Sequence, residues 1–170
     1  MCALEVRPAK ASDLEAARHV IIQTWLNTYV PIHGEAKVRD TISRWHTPDI
    51  ILPQIENEKQ LFGVGLLQGK VVGHVSAYME NHDTLKIGRL YILPDAQGKG
   101  IGQRLIDFAL SSFERVKNVS LEVDESKDGA IRFYERNGLV ITDRTDHCGN
   151  DGDITALIMS APVSSVITSK

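Results

Sequence analysis

"LPDAQGKGIGQRLIDFAL", residues 93–110, joins a strand signal that stops at Pro94 to a helical pattern that begins at once. Gly98, Gly100 and Gly102 stand at alternate positions around Lys99. The first turn of a helix leaves backbone N–H groups without helical acceptors, and the helix dipole adds partial positive charge there. Such an end holds anions, phosphate above all, and glycines remove the Cβ atoms that would keep a phosphate off the backbone. Lys99 and Arg104 add charge at the rim. Two common phosphate motifs are absent. The P-loop requires Ser or Thr after Gly-Lys, and Val71 follows Gly69-Lys70. The dinucleotide pattern G-x-G-x-x-G fails at its last position, where Gln103 stands.

Upstream, residues 3–9 read as a short strand ending at Pro8. Ser12 and Glu15 form a capping-box pattern for a helix to about Tyr29, with Leu14, Ala17, Ile21, Trp25 and Thr28 on one face. Pro31 and Gly34 break it, and 36–45 is a second helix stopped before Pro48. Residues 49–58 are ambiguous. A hairpin follows, 61–68 and 71–80 about a tight turn at Gly69-Lys70, then a strand over 84–93. After the glycine stretch, Ile101, Leu105, Phe108 and Ala109 share a helix face over 98–114. Residues 119–124 alternate as a strand. Residues 128–137 are helical, with Ala130, Phe133, Tyr134 and Asn137 on one side, and Gly138 stops the helix. Strands over 139–144 and 153–161 flank a polar loop. The expected order is β-α-α-β-β-β-α-β-α-β-β, an α/β fold with a mixed sheet in two or three layers. One domain over 1–162 and a frayed tail over 163–170 are expected.

The bulk numbers agree. The 170 residues are 42% hydrophobic and 24% charged, with a net charge of −3. That suits one soluble domain, and nothing basic points to nucleic acid. No apolar run reaches the ~20 residues of a membrane span. The start, "MCALEVRPAK", has no apolar signal core. Cys2 and Cys148 lack paired spacing, so neither a disulfide framework nor a metal site is expected. A cytoplasmic protein is the default.

Gln97-x-x-Gly100-x-Gly102, between a strand and an amphipathic helix, resembles the pyrophosphate-binding signature of the GNAT superfamily of acyl-CoA N-acyltransferases. "LEVDESKDGAIRFYERNGL" (121–139) is similar to the strand-plus-helix segment of the same family, and the element order matches along nearly the whole chain. The resemblance implies a mostly antiparallel central sheet flanked by helices, with coenzyme A in a gap between the strands 84–93 and 119–124. Backbone groups of Tyr91, Ile92 and Leu93 would then pair with the pantetheine arm. The segment Gly98, Lys99, Gly100, Ile101, Gly102 and Gln103 would take the pyrophosphate of acetyl-CoA, the cosubstrate. No metal is implied.

Tyr134 matches the family tyrosine that gives a proton to the leaving thiolate; by pattern alone it also reads as a core aromatic. An unperturbed phenol, pKa about 10, can serve as such an acid at neutral pH. Glu122 is the first candidate for the base; it also reads as a solvated strand residue. Lys86 stands where other members carry a glutamate base and cannot serve when charged. His74 and His82 are weaker candidates. Lys127 replaces a family asparagine and either contacts phosphate or points to water. Trp25 and Tyr29, four apart in "TWLNTY", which resembles a polyamine-acetyltransferase group, either wall an acceptor slot or pack the helix. The segment 143–153 carries Asp143, Asp146, Asp151 and Asp153 against Arg144. It either attracts a cationic amine, with Asp146 as the contact, or is a solvated loop. The expected function is direct acetyl transfer to a small cationic amine in a ternary complex, by a monomer or homodimer without nucleic-acid or membrane partners. Alternatives are acetylation of protein N-termini or lysines, and a non-catalytic acyl-CoA-binding module.

Overall fold

The computed structural model describes residues 3–148 and 154–166. Seven strands form one sheet in the order β1-β2-β3-β4-β5-β7-β6. They are β1 (Leu4–Pro8), β2 (Gln60–Leu67), β3 (Lys70–Met79), β4 (Thr84–Ile92), β5 (Asn118–Asp124), β6 (Val140–Cys148) and β7 (Ile154–Pro162). Neighbours pair antiparallel except β4 with β5. Helices α1 (Leu14–His33), α2 (Glu35–Trp45) and α3 (Pro48–Glu56) belong to one face; α4 (Ile101–Ser111) and α5 (Asp128–Arg136) belong to the other. This is the mixed α/β architecture expected, with the ambiguous stretch 49–58 resolved as a third helix behind Pro48 at its N-terminus.

The sheet is covered on both faces, so β2 and β3 read as nearly continuous apolar runs rather than as alternation. Phe62, Val64 and Leu66 face α1, together with Ala17, Ile21 and Trp25. The opposite positions hold glycine because α4 lies close. A Cβ on Gly63 would meet Phe108 at 3.0 Å, and one on Gly73 would meet Leu105 at 3.1 Å. Leu105, Ile106, Leu121 and Met159 are fully enclosed there, each worth about 1.5–3 kcal/mol of burial.

Several boundaries differ from expectation. The hairpin turns on Gln68-Gly69, one residue earlier than Gly69-Lys70, because Leu67 pairs with Lys70. The Ser12–Glu15 capping box does not form. Asp13 instead accepts the Lys10 backbone N–H at 2.7 Å and pairs with Arg7 at 2.7 Å, and α1 starts at Leu14. That helix runs through Pro31 and ends at Gly34. β6 continues past the expected end at 144 to Cys148, with Arg144 opposite Leu157 and Thr145 opposite Ala156, so Asp146 also stands on a strand rather than in a loop. Asp151, Asp153 and Cys2 lie outside the described residues. Residues 163–165 make a 3-10 turn, and Val166 inserts into the core behind α5.

Candidate active site

β4 and β5 hold together only along Thr84–Ile87 and Asn118–Leu121. Beyond that point β4 continues to Ile92 paired with β3, and β5 continues to Asp124 paired with β7. The two parallel strands therefore separate, and a gap opens through the sheet. A cavity lies on each side of the gap. One, of about 700 Å³, reaches from Ile92 to the start of α4 and to α5. The other, of about 530 Å³, lies under α1 and α3. Leu90, Tyr91 and Lys127 line both, so the cavities meet there.

The larger cavity carries the glycine turn expected to take a pyrophosphate. Gly98 and Gly100 have φ of +78° and +81°, the left-handed region that favours glycine, and a Cβ on either would meet nothing within 4 Å. The first turn of α4 stands ahead of its first helical bond, which Arg104 makes to the Gly100 carbonyl at 3.2 Å. Gln97, Gly98, Gly100, Ile101, Gly102 and Gln103 line the cavity, and its wall carries the cations Lys127 and Arg136 and no carboxylate. Sequence reasoning did not single out Arg136 as a contact, although it stands inside the 121–139 segment that resembles the family. Gly102 has a different role from its two neighbours. A Cβ there would sit 2.9 Å from the Phe133 ring and 3.1 Å from Ile92, so its absence lets α4 pack against α5 and β4. Lys99 does not line the cavity. Nor does Leu93: its N–H goes to the Val72 carbonyl at 2.9 Å and its carbonyl accepts from Ala96 at 2.9 Å; Tyr91 and Ile92 line the cavity, with the Ile92 carbonyl accepting from Gln97 Nε2 at 3.2 Å.

A bulge shapes the smaller cavity. Ser76 pairs with Arg89 and Ala77 with Ile87, which leaves Gly88 without a partner in β3. The extra residue shifts the side-chain alternation, so Lys86, Arg89 and Tyr91 share the face toward α1. Ser120, Glu122 and Asp124 face the same way from β5. Lys86 Nζ meets Glu122 Oε1 at 2.9 Å. Burial acts against the Lys86 ammonium, but the bond to Glu122 and that carboxylate's charge raise its pKa overall. Asp124 accepts from the Ser126 hydroxyl at 2.6 Å and backbone N–H at 2.9 Å, and lies 3.9 Å from His33 Nε2. Lys127 sits with Nζ 5.5 Å from the Tyr29 ring centre; burial pushes its pKa down, and Asp124 opposes that shift.

Trp25 and Tyr29 line this cavity, with ring centres 4.5 Å apart, so they both wall the slot and pack the helix. Asp146 does not line it; it pairs with Arg144 at 3.3 Å on β6. Tyr134 lines neither cavity. Its ring is buried in the main core beside Phe133, and burial, with Tyr91 adding to it, pushes the phenol well above its ordinary range. His74 is fully buried. Its Nδ1–H donates to the Gly63 carbonyl at 2.9 Å, and Nε2 accepts from Arg89 Nη1 at 3.3 Å. Burial and the adjacent guanidinium push its pKa to about 3. With its lone pair engaged it is a structural histidine. His82 is exposed beside Asp83 and lines neither cavity. Among the described residues, no group of three or more His, Cys, Asp or Glu is placed to hold a metal ion, and no helix is long and apolar enough to cross a membrane.

A family model described as the acetyltransferase (GNAT) family matches residues 21–139, well over half of the chain. The chain belongs to that family. A segment of 57 residues is 40% identical to the mycothiol acetyltransferase of Geodermatophilus obscurus, covering 31% of this chain and 18% of that one. The chain spans about a fifth of the length of the curated relatives it matches. Among solved structures, the PaiA N-acetyltransferase of Thermoplasma acidophilum in complex with coenzyme A superposes with a TM-score of 0.81 at 21% identity, over 94% of this chain and 99% of that one. The ribosomal-protein-S18-alanine N-acetyltransferase of Escherichia coli gives 0.70 at 20% identity, over 99% and 97%. These likenesses establish the fold.

Proposed function

We propose that this member of the GNAT family is an acetyl-CoA-dependent N-acetyltransferase that acts on a small primary amine by direct transfer in a ternary complex. The observation that carries this reading is the meeting of two cavities at Leu90, Tyr91 and Lys127, through the one place where parallel strands part. An acyl donor lying along Tyr91 and Ile92 from one side would face an amine entering from the other.

Acetyl-CoA supplies the acyl group as a thioester. The transfer forms the N–C bond of an amide, breaks the C–S bond, moves one proton off the amine and places one on sulfur. Gly98, Gly100 and the first turn of α4 would hold the pyrophosphate, with Arg136 and Lys127 adding charge. Glu122 would accept the amine proton, directly or through water; Lys86 holds it in place as an ion pair. Tyr134, the candidate to supply the proton to sulfur, lines neither cavity and would have to reach the thiolate from the core beside Tyr91; burial keeps it protonated but also makes it a weaker acid. Holding both reactants in one geometry supplies much of the rate.

Asp146, the acidic contact expected for a cationic acceptor, lies outside the cavity, and the cavity wall carries Lys86, Arg89 and Lys127 against Glu122 and Asp124. The acceptor is therefore read here as an amine, without a second positive charge.

Calorimetric titration with acetyl-CoA tests the donor site. Gly100→Glu places a carboxylate at the pyrophosphate end and should weaken binding at least about tenfold, which is 1.4 kcal/mol. A folded wild-type protein that binds no acetyl-CoA refutes the proposal.

A further inference from the structure

Arg89 is the cation of the smaller cavity that no acid balances. Lys86 is paired with Glu122, and Asp124 stands close enough to Lys127 to oppose the lowering of its pKa by burial. Arg89 has no carboxylate partner among the described residues. Nη2 donates to Gln54 Oε1 at 2.7 Å, Nη1 to His74 Nε2 at 3.3 Å, and the guanidinium lies 6.0 Å from the Phe62 ring centre. A guanidinium has five N–H donors, so these two neutral acceptors leave about three without an assigned partner. The group sits deep enough for burial to depress its pKa, yet it keeps partial exposure through the cavity wall.

A buried cation held by neutral groups is costly unless an anion completes it. The supports around Arg89 fix it in one orientation: Gln54 from α3, the ring of His74 from β3 and Phe62 from β2. His74 cannot be protonated there without losing its bond to Arg89. The Gly88 bulge is what turns Arg89 toward this cavity rather than into the α4 core. Arg89 and Tyr91 are two residues apart on β4, about 7 Å along the strand, so the charge lies a short molecule's length from the opening where transfer would occur.

We propose that Arg89 is a specificity-determining residue that binds an oxyanion of the acceptor, so that the acceptor is a small amine that also carries a carboxylate. This rests on the N-acetyltransferase reading above and adds the acceptor's chemical class. The planar fork of the guanidinium matches a carboxylate in two parallel hydrogen bonds. A polyamine offers no group for it, and its second charge would meet a cation.

The test is acetyl-CoA turnover, followed by release of free thiol, on matched pairs: phenylalanine and phenethylamine, methionine and 3-(methylthio)propylamine, 4-aminobutyrate and propylamine, with spermidine alongside. The wild-type protein should favour at least one carboxylated member over its partner by about thirtyfold or more in kcat/KM, the low end for a buried hydrogen-bonded charge pair. Arg89→Gln should collapse that ratio, chiefly through KM, and Arg89→Lys should restore part of it. Acetyl-CoA titration of each variant checks that the fold and donor site survive; if neither variant folds, the wild-type ratios decide. Equal or better use of the amines lacking a carboxylate, use of spermidine alone, or no turnover of any pair while acetyl-CoA binds would overturn the assignment of Arg89 and leave the donor site standing. Failure to bind acetyl-CoA would overturn the transferase reading and this inference with it.

Discussion

Lowering the pH from 7.5 to 5.0 should destabilise this fold through two buried histidines. His46 is 2% exposed, both of its ring nitrogens lack partners, and burial, followed by the charges of Arg89 and Arg18, pushes its pKa to about 4. His74 is 0% exposed with a pKa of about 3. Both are held neutral in the folded state, while in the unfolded chain each titrates near its ordinary value of about 6.5. The unfolded state thus binds more protons between these values, and stability must fall as pH falls through that window. At pH 5.0 an unfolded imidazole at 6.5 gains RT ln(1 + 10^1.5), about 2 kcal/mol, and the folded ones gain almost nothing; the pair therefore costs about 4 kcal/mol. That is a large part of a typical 5–15 kcal/mol. Asp13, whose carboxyl is held low by the bond from Arg7, keeps its stabilisation above the ordinary carboxylate pKa and does not enter at pH 5.0. Urea unfolding followed by circular dichroism at pH 7.5, 6.0 and 5.0 measures the loss. In His46→Phe, which replaces a ring with no hydrogen-bond partners, the loss should halve to about 2 kcal/mol. A change under about 1 kcal/mol in the wild type, or an undiminished loss in the variant, refutes the reasoning.

Tyr134→Phe should lower kcat by about a hundredfold or more with little change in KM for acetyl-CoA, read from steady-state thiol release; unchanged turnover removes Tyr134 as the acid. Glu122→Gln should lower kcat by a similar factor of about a hundred, partly recovered at higher pH as more of the acceptor amine becomes neutral; a flat recovery profile counts against Glu122 as the base. Gly138→Ala should destabilise by roughly 2 kcal/mol or more, because φ is +96° and the new Cβ meets the Ser165 carbonyl; a wild-type urea midpoint shows that residues 163–166 do not pack there.

Much of the fold and of the glycine turn that lines the larger cavity was legible because it depends on local chemistry. Gly98 and Gly100 mark a backbone conformation that glycine favours, and Pro94 and the helical spacing after Ile101 mark where strand yields to helix. These signals act within a few residues and survive in a bare sequence. What was not legible depends on register across strands. Residues 145–148 carry turn formers and charge, so they read as loop beyond the strand expected over 139–144; only pairing with β7 extends the strand to them, and Asp146 lies outside the smaller cavity. Arg89 is the sharper case. By simple alternation from Lys86 it belongs on the opposite face, in the apolar core under α4, where no guanidinium would be kept. The Gly88 bulge reverses that parity; a glycine inside a strand hints at a bulge, but which way it turns Arg89 is fixed only by the mismatch with Ser76 and Ala77 on another strand. The same shift that hid Arg89 from the sequence places it, with Lys86 and Tyr91, on the wall of the smaller cavity. The glycine turn was thus written locally and the wall of the smaller cavity in strand register, which is why the acidic segment 143–153 pointed to a cationic amine while the proposal for Arg89 adds a carboxylate to it.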